Sequence, residues 1–400
     1  MDKPLDIKVI AYQAIKDIPA DKWDACVRSD SSNGRSIDPF TKYDFLLALE
    51  ESKSTSPEAG WVPIHLVVTE GGDFIAVMPL YVKFNSMGEF IFDYSWAQEY
   101  EFMGESYYPK LLSAVPFTPA TGQRFLAKPG YESIGFSALI QAMKSIIKGQ
   151  SFSSAHINFC TSEEVEHGQE YGLLHRTGYQ YRWTNPGYGD FDQFLNELSS
   201  RKRRNIRRER KNLHTFGGKI KLLNGAQIQE HHWDSFWLFY QETGMRKWGY
   251  PYLTREFFSI VGDSMADDIL LILCEKDGYP IAGALNFIGR DKLFGRYWGC
   301  TEYQDFLHFE LCYYQAMDYA IQHGLKYVEA GAGGHHKLAR GYLPFKTHSL
   351  HWIGHQGFHQ ALENFLKKEE KLVAEEIEHL TLSGPFKEGV LNHGGITYRG

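Results

Sequence analysis

Cysteine is scarce here and never paired. The five residues Cys26, Cys160, Cys274, Cys300 and Cys312 are scattered, odd in number, and form no Cys-x-x-Cys spacing. That excludes a disulfide framework and reads as reduced thiols. No apolar run approaches the ~20 residues that span a bilayer. The start, Met1-Asp-Lys-Pro-Leu-Asp, lacks the basic-then-apolar pattern of a secretory signal. The expectation is a cytoplasmic protein with no transmembrane segment. Metal-ligand spacing is missing as well. His351, His355 and His359 lie four apart, but Gly354 and Gly357 interrupt any shared helix face.

A strong overall charge is also absent, since the net value over 400 residues is −7. Its distribution is uneven. Residues Arg201 to Lys211 hold eight basic side chains and Glu209, so the rest of the chain sums to −14. Arg201, Lys202, Arg204 and Arg208 are the candidate phosphate or nucleic-acid contacts, and Arg201, Arg204 and Arg208 share one helix face. Basic residues near a helix C-terminus also answer the macrodipole, which accounts for two or three of them. The partner is tRNA or the anionic face of a membrane.

What is abundant supports real cores: 43% hydrophobic residues and 15% aromatics. The length suggests two or three domains. Two hairpin patterns recur. His65-Leu-Val-Val-Thr-Glu, Gly71-Gly72 and Phe74 to Lys83 match Ile269 to Glu275, Lys276-Asp-Gly278 and Tyr279 to Phe287 at an offset of 206 residues. A third strand follows each hairpin, Glu89 to Asp93 and Lys292 to Trp298. Helix 131–148, strand 155–159, helix 163–176 and strand 179–183 then complete the first half, and helix 305–323, a strand at 327–330 and another at 348–353 complete the second. The prediction is an α/β fold of mixed sheets in two duplicated domains, 1–190 and 191–400. The second carries one long helix, 191–212, and a C-terminal surface helix, 358–380.

The chemistry gathers after the strand 327–330, because parallel strands present ligands at their carboxyl ends. Glu329 is a carboxylate in a strand that should be apolar; it is either functional or ion-paired to Lys337 or Arg340. His335 and His336 follow the flexible run Gly331-Ala-Gly-Gly334 and suit proton transfer. Glu329, His335 and His336 are the catalytic candidates. Lys337 and Arg340 beyond them, Arg296 and Trp298 on the preceding strand, and His308 and Glu310 on the buried helix are substrate-binding candidates. A core histidine is the alternative for His308. In the first half, Tyr108, Lys110, Phe117, Thr118 and Arg124 lie on a proline-rich stretch. They are assigned to substrate as well, with a solvated loop as the alternative.

Six stretches carry a resemblance over nearly the whole chain: Tyr107-Tyr-Pro-Lys-Leu, Ala114-Val-Pro-Phe-Thr-Pro, Ser200-Arg-Lys-Arg-Arg-Asn-Ile-Arg, Gly295-Arg-Tyr-Trp-Gly-Cys, Leu307-His-Phe-Glu-Leu-Cys-Tyr-Tyr and His336-Lys-Leu-Ala-Arg-Gly-Tyr. They resemble the FemAB-like group of GNAT-fold bacterial proteins linked to peptidoglycan biosynthesis or recognition. The resemblance implies tandem GNAT-like domains and transfer of an acyl or aminoacyl group to a small-molecule or peptide amine, with aminoacyl-tRNA or acyl-CoA as donor. The acceptor is expected between 109–124 and 329–340. Acetyl-CoA-dependent GNAT enzymes carry a glycine-rich loop whose amides hold pyrophosphate. The matching segment here, Gly299-Cys-Thr-Glu-Tyr-Gln-Asp305, lacks those glycines and has two acids. This weakens the acetyl-CoA reading and favours aminoacyl-tRNA, as in Fem enzymes. A non-catalytic RNA-binding or envelope-recognition protein is the alternative, and an acyl-CoA-dependent N-acetyltransferase a further one.

Overall fold

The computed structural model describes residues 6–27, 36–248, 251–387, 389–392 and 396–397. The chain forms two compact units, Met1–Gly178 with Lys346–Val373, and Tyr179–Phe345 with Ala374–Gly400. The single boundary expected at 190 does not describe this, because residues 346–373 pack with the first unit.

The first unit contains, in order, β1 (Ile7–Tyr12), α1 (Ala20–Asp24), α2 (Tyr43–Glu51), β2 (Trp61–Pro63), β3 (His65–Glu70), β4 (Asp73–Met78), β5 (Tyr81–Lys83), α3 (Tyr94–Phe102), β6 (Lys110–Ser113), β7 (Leu126–Ala127), α4 (Glu132–Gln150), β8 (Ser154–Cys160), α5 (Ser162–Glu170) and the start of β9 (Leu174–Thr184). β1, β3, β4 and β7 make one sheet in that order. β2, β5, β6 and β8 pair in sequence within a second, with β6 and β8 parallel. Two expectations are corrected here. Glu89 to Asp93 is not a strand but the approach to α3, because both acids turn inward onto a buried lysine. The helix expected to reach Arg176 ends at Glu170, followed by Gly172 at φ +75°.

The second unit contains α6 (Phe191–Glu197), α7 (Ser200–Thr215), β10 (Lys219–Asn224), α8 (Glu230–Trp248), α9 (Arg255–Ser264), β11 (Ile269–Lys276), β12 (Tyr279–Ile288), β13 (Lys292–Cys300), α10 (Leu307–Phe309), a π-helical turn (Glu310–Tyr314), α11 (Gln315–Gln322), β14 (Tyr327–Glu329) and the start of β15 (Leu343–Ile353). Helix α12 (Gln356–Leu382) follows. β10 to β14 pair in sequence, then β14 pairs with residues 182–184 of β9. The long basic helix is two helices, α6 and α7. They break at Leu198, which is fully buried and bridges to Phe386.

The predicted repetition is visible in local detail. Both hairpins close on two residues with positive φ, Gly71 and Gly72 in the first and Asp277 and Gly278 in the second. That geometry matches the twist of antiparallel strands and calls for glycine or aspartate. Each half also keeps the order strand, two helices, hairpin, helix, strand, with β2, β5, α3, β6 and β7 interposed in the first and β13 in the second. The last strands are exchanged, however. β9 follows β8 in the chain yet pairs with β14, while β15 follows β14 yet pairs with β8. Each unit therefore depends on a strand supplied by the other half of the sequence. Among the described residues no helix is long and apolar enough to cross a membrane.

Candidate active site

In the second unit, β13 and β14 run parallel for three residue pairs only, ending at Phe294 opposite Glu329. Beyond that point β13 continues to Cys300 without β14 beside it, and the chain after β14 enters the glycine run. The strands thus part between Arg296 of β13 and the glycine run after Glu329. Gly331 lies against the Gly295 carbonyl and the Arg296 guanidinium. A Cβ added at Gly295 would meet the Glu329 carbonyl at 3.4 Å, an ordinary contact distance, so the two backbones pass close to each other here.

An aromatic and imidazole layer lines the same region. Trp298 meets His308 edge-on at 5.1 Å between ring centres, and His308 meets Tyr313 at 5.3 Å and His336 at 5.8 Å. The Tyr313 hydroxyl and His336 Nε2 are 2.7 Å apart. Burial pushes the Tyr313 phenol up, so it stays a neutral hydroxyl that can donate or accept. His335 Nδ1 lies 3.2 Å from the Tyr181 hydroxyl. Glu329 is buried, with Lys292 Nζ at 3.4 Å as its ion-pair partner. The pairing to Lys337 or Arg340 weighed from sequence is not the one formed. Lys337 instead donates to the Gly331 carbonyl at 2.7 Å, folding the glycine run back on itself.

Arg340 is turned inward. Its Nη2 donates to both oxygens of Glu209 at 2.9 Å, its Nε to the Tyr314 hydroxyl at 3.0 Å, and its guanidinium lies over Phe309 at 3.3 Å. Glu209, the one acid of the basic run, thereby fastens α7 to the turn after β14. Arg210 bonds Glu310 at 3.2 Å and Asp318 at 2.6 Å. Burial raises the Glu310 carboxyl despite Arg210 beside it. Arg201, Arg204 and Arg208 are exposed as predicted, and Lys202 is half-buried.

The first unit departs most from the sequence reading. The stretch assigned to a binding loop is interior. Lys110 opens β6, fully buried, and donates to Glu89 at 2.8 Å, Asp93 at 2.6 Å and Ser86 at 2.8 Å. Burial drives Glu89 up to about 7 against the pull of Lys110. Burial opposes ionisation of Asp93 too, but the Lys110 charge and hydrogen bonds from Lys110 and Ser86 hold it well below the carboxylate range. Lys83, paired across the strands with Lys110, is also buried. Its Nζ lies 3.7 Å from the Trp61 ring centre, and burial lowers it to about 7. Tyr108 reaches Ser86 at 2.8 Å. Phe117 packs on Trp61, and Thr118 donates to the Pro116 carbonyl. Arg124 is wholly buried, donating to the carbonyls of Asn158, Gln123 and Ala120. These contacts make Arg124 a brace of the loop rather than an exposed clamp.

Sequence reasoning missed Lys83, Glu89, Asp93, Tyr107, His156 and His351. His156 and His351 share a 2.7 Å Nδ1–Nδ1 contact, and Tyr107 donates to Asp93 at 2.6 Å. The four-residue spacing of Glu89 and Asp93 was a signal, hidden by reading that segment as a strand. Glu209 and Tyr314 were missed because their importance lies in long-range pairing.

Comparison with known proteins agrees with this architecture. The family model FemAB-like, described as peptidoglycan biosynthesis/recognition, matches residues 14–388. Among solved structures, FemX matches with TM-score 0.54 at 14% identity, over 86% of this chain and 98% of that one. The C-terminal domain of a putative lysylphosphatidylglycerol synthetase from Agrobacterium fabrum matches with TM-score 0.52 at 9% identity, over 86% and 94%. At such identities the likeness is one of fold. No curated protein matches in sequence.

Proposed function

The chain belongs to the FemAB-like family, and on that premise we propose that it is a Fem-like N-acyltransferase, moving an acyl or aminoacyl group onto the amine of a cell-wall precursor. The observation that carries this reading is the parting of β13 and β14 after Phe294 and Glu329, with His335, His336 and Tyr313 gathered around it. Amide formation needs an amine stripped of its proton and a donor for the oxygen of the tetrahedral intermediate. In this reading His336 takes the amine proton on Nδ1, while its Nε2–H donates to the Tyr313 hydroxyl, which orients the ring. His335 and Glu329 are the other acceptors within the same opening. The nitrogen lone pair forms the C–N bond, the donor's ester or thioester bond breaks, and the proton leaves with the imidazole. Arg296, Trp298, His308 and Lys337 shape the opening.

Aminoacyl-tRNA is the donor favoured, with the exposed face Arg201, Arg204 and Arg208 contacting its phosphates. The acid-bearing loop after β13 argues against acyl-CoA. Glu302 there is ion-paired with Lys276 and hydrogen-bonded by Gln304 at 2.6 Å.

The test is transfer itself. The purified protein is incubated with charged tRNA or acyl-CoA and an amine-bearing wall precursor, and amide product is read by mass spectrometry. His336→Ala should reduce product at least 100-fold, within the range expected for a lost general base. Tyr313→Phe should reduce it less. Absence of product from either donor class, or full activity in His336→Ala, would defeat the assignment.

A further inference from the structure

We propose that the cavity between α7, β10 and the π-helical turn binds a small phosphate ester that carries an ammonium or hydroxyl donor beside its phosphate. The cavity has a volume of about 680 Å³. Arg207, Arg210, Lys211, His214 and Lys219 line it, together with Glu310 and Gln315. It uses side chains of α7 other than the exposed set Arg201, Arg204 and Arg208, and it is separate from the opening between β13 and β14.

Two independent features point to a ligand of this kind. The first is the charge of the wall. Arg207 already pairs with Asp192, and Arg210 with Glu310 and Asp318. Lys211, His214 and Lys219 make no ion pair among the described residues, yet they converge on one concavity. Converging cations in a recess concentrate an anion far better than the same charges spread over a convex surface. Phosphate, with several acceptor oxygens, answers such a set.

The second feature is Glu310, which is 3% exposed. Its Oε1 accepts from Arg210 at 3.2 Å and from Gln315 at 2.7 Å. Its Oε2 is buried and has no hydrogen-bond partner among the described residues. Buried acceptors without donors are rare, and they mark places where something outside the chain supplies one. The residue sits in a π-helical turn, a local irregularity that often accompanies function. A lone anion would gain nothing from Glu310 and would be repelled by it. A phosphate ester bearing its own ammonium or hydroxyl answers both walls, with the phosphate on the cations and the donor at the Glu310 carboxylate.

The experiment is calorimetric titration of the full chain at low salt with phosphoethanolamine and with inorganic phosphate. Phosphoethanolamine should bind saturably and about tenfold more tightly than phosphate. Lys211→Ala/Lys219→Ala, two exposed changes, should weaken both probes at least tenfold while leaving the circular dichroism unchanged. Lys368→Ala/Lys371→Ala on α12, an equal loss of charge away from the cavity, should leave both affinities unchanged. Glu310→Gln should bring phosphoethanolamine down to the affinity of phosphate. No saturable binding of either probe overturns the site, as does an equal loss in the α12 variant. A preference that survives Glu310→Gln overturns the role of the carboxylate. Vesicles of phosphatidylethanolamine in phosphatidylcholine distinguish the source. Binding to them with the same Lys211/Lys219 dependence assigns the ester to a lipid headgroup, and binding of the free ester alone assigns a soluble one. None of these readouts requires turnover, so failure here is separate from failure of the transfer reaction.

Discussion

Arg340 and Glu209 lie 131 residues apart and meet in a two-pronged ion pair, with side-chain exposures of only 8% and 10%. Removing one partner strands a buried charge, which costs about 3–5 kcal/mol. Arg340→Ala should therefore lower the urea midpoint sharply. Arg340→Met/Glu209→Met should recover most of the loss, because neither charge then remains. A cost below about 1 kcal/mol for the single change would show that the clamp does not hold α7 in place.

The pair His156 and His351 gives a pH prediction. Burial lowers His156 from its ordinary value of 6.5 to about 3 and His351 well below 6.5. Lys110, Arg176 and His175 face the pair as like charges, and Asp93 opposes them. Both rings are thus neutral when folded and protonated in the acid-unfolded chain. Their contribution is complete above about 6.5 and declines as pH falls from there toward 3. Melting temperatures at pH 7, 5.5 and 4 should drop steadily. His156→Gln/His351→Gln should flatten that drop relative to the parent, whatever it does to stability at pH 7. An equal slope in both proteins would place the acid sensitivity elsewhere.

Gly299 packs where no side chain fits. A Cβ there would lie 1.8 Å from the Phe239 carbonyl oxygen on α8. Backbone cannot yield as a flexible side chain does, so Gly299→Ala should cost more than the ~1–3 kcal/mol typical of overpacking. Gly278→Ala is the comparison. Its Cβ meets nothing within 4 Å, and φ +86° imposes only a left-handed strain of about 1–2 kcal/mol. Denaturant titration of the two variants should rank them in that order.

Coenzyme A should fail to bind stoichiometrically, because the loop after β13 presents Glu302 and Asp305 rather than a run of glycine amides. Titration calorimetry with acetyl-CoA checks this. Tight binding lost on changing Glu302 and Tyr303 would instead make acyl-CoA the donor.

Binding of tRNA should weaken steeply with salt, by about 0.7–0.9 in log–log slope for each phosphate contacted. Arg201→Ala/Arg204→Ala/Arg208→Ala should flatten the slope at little cost to folding, since exposed changes usually fall within about 0.5 kcal/mol. An unchanged slope would leave this face as solvated charge.

Much of the fold was readable from local pattern. The hairpins at Gly72 and Gly278 announce themselves through turn chemistry, and β11 through its apolar run, Ile269 to Cys274, all of it buried. The glycine run before His335 and the exposed stripe Arg201, Arg204, Arg208 were equally legible, because spacing alone decides which residues share a helix face. Other features have no local signal. The four-residue spacing of Glu89 and Asp93 is ambiguous until Lys110 is seen between the two acids, since a carboxylate faces inward only when a buried cation offsets its desolvation. Glu209 reads as one acid among eight bases until Arg340 reaches it from the other end of the unit. The exchange of β9 and β15 is invisible for the same reason. A strand's sequence sets how many faces it buries, but the choice of neighbour depends on backbone hydrogen bonds that every residue except proline can make, and those are allotted only when the whole chain has packed.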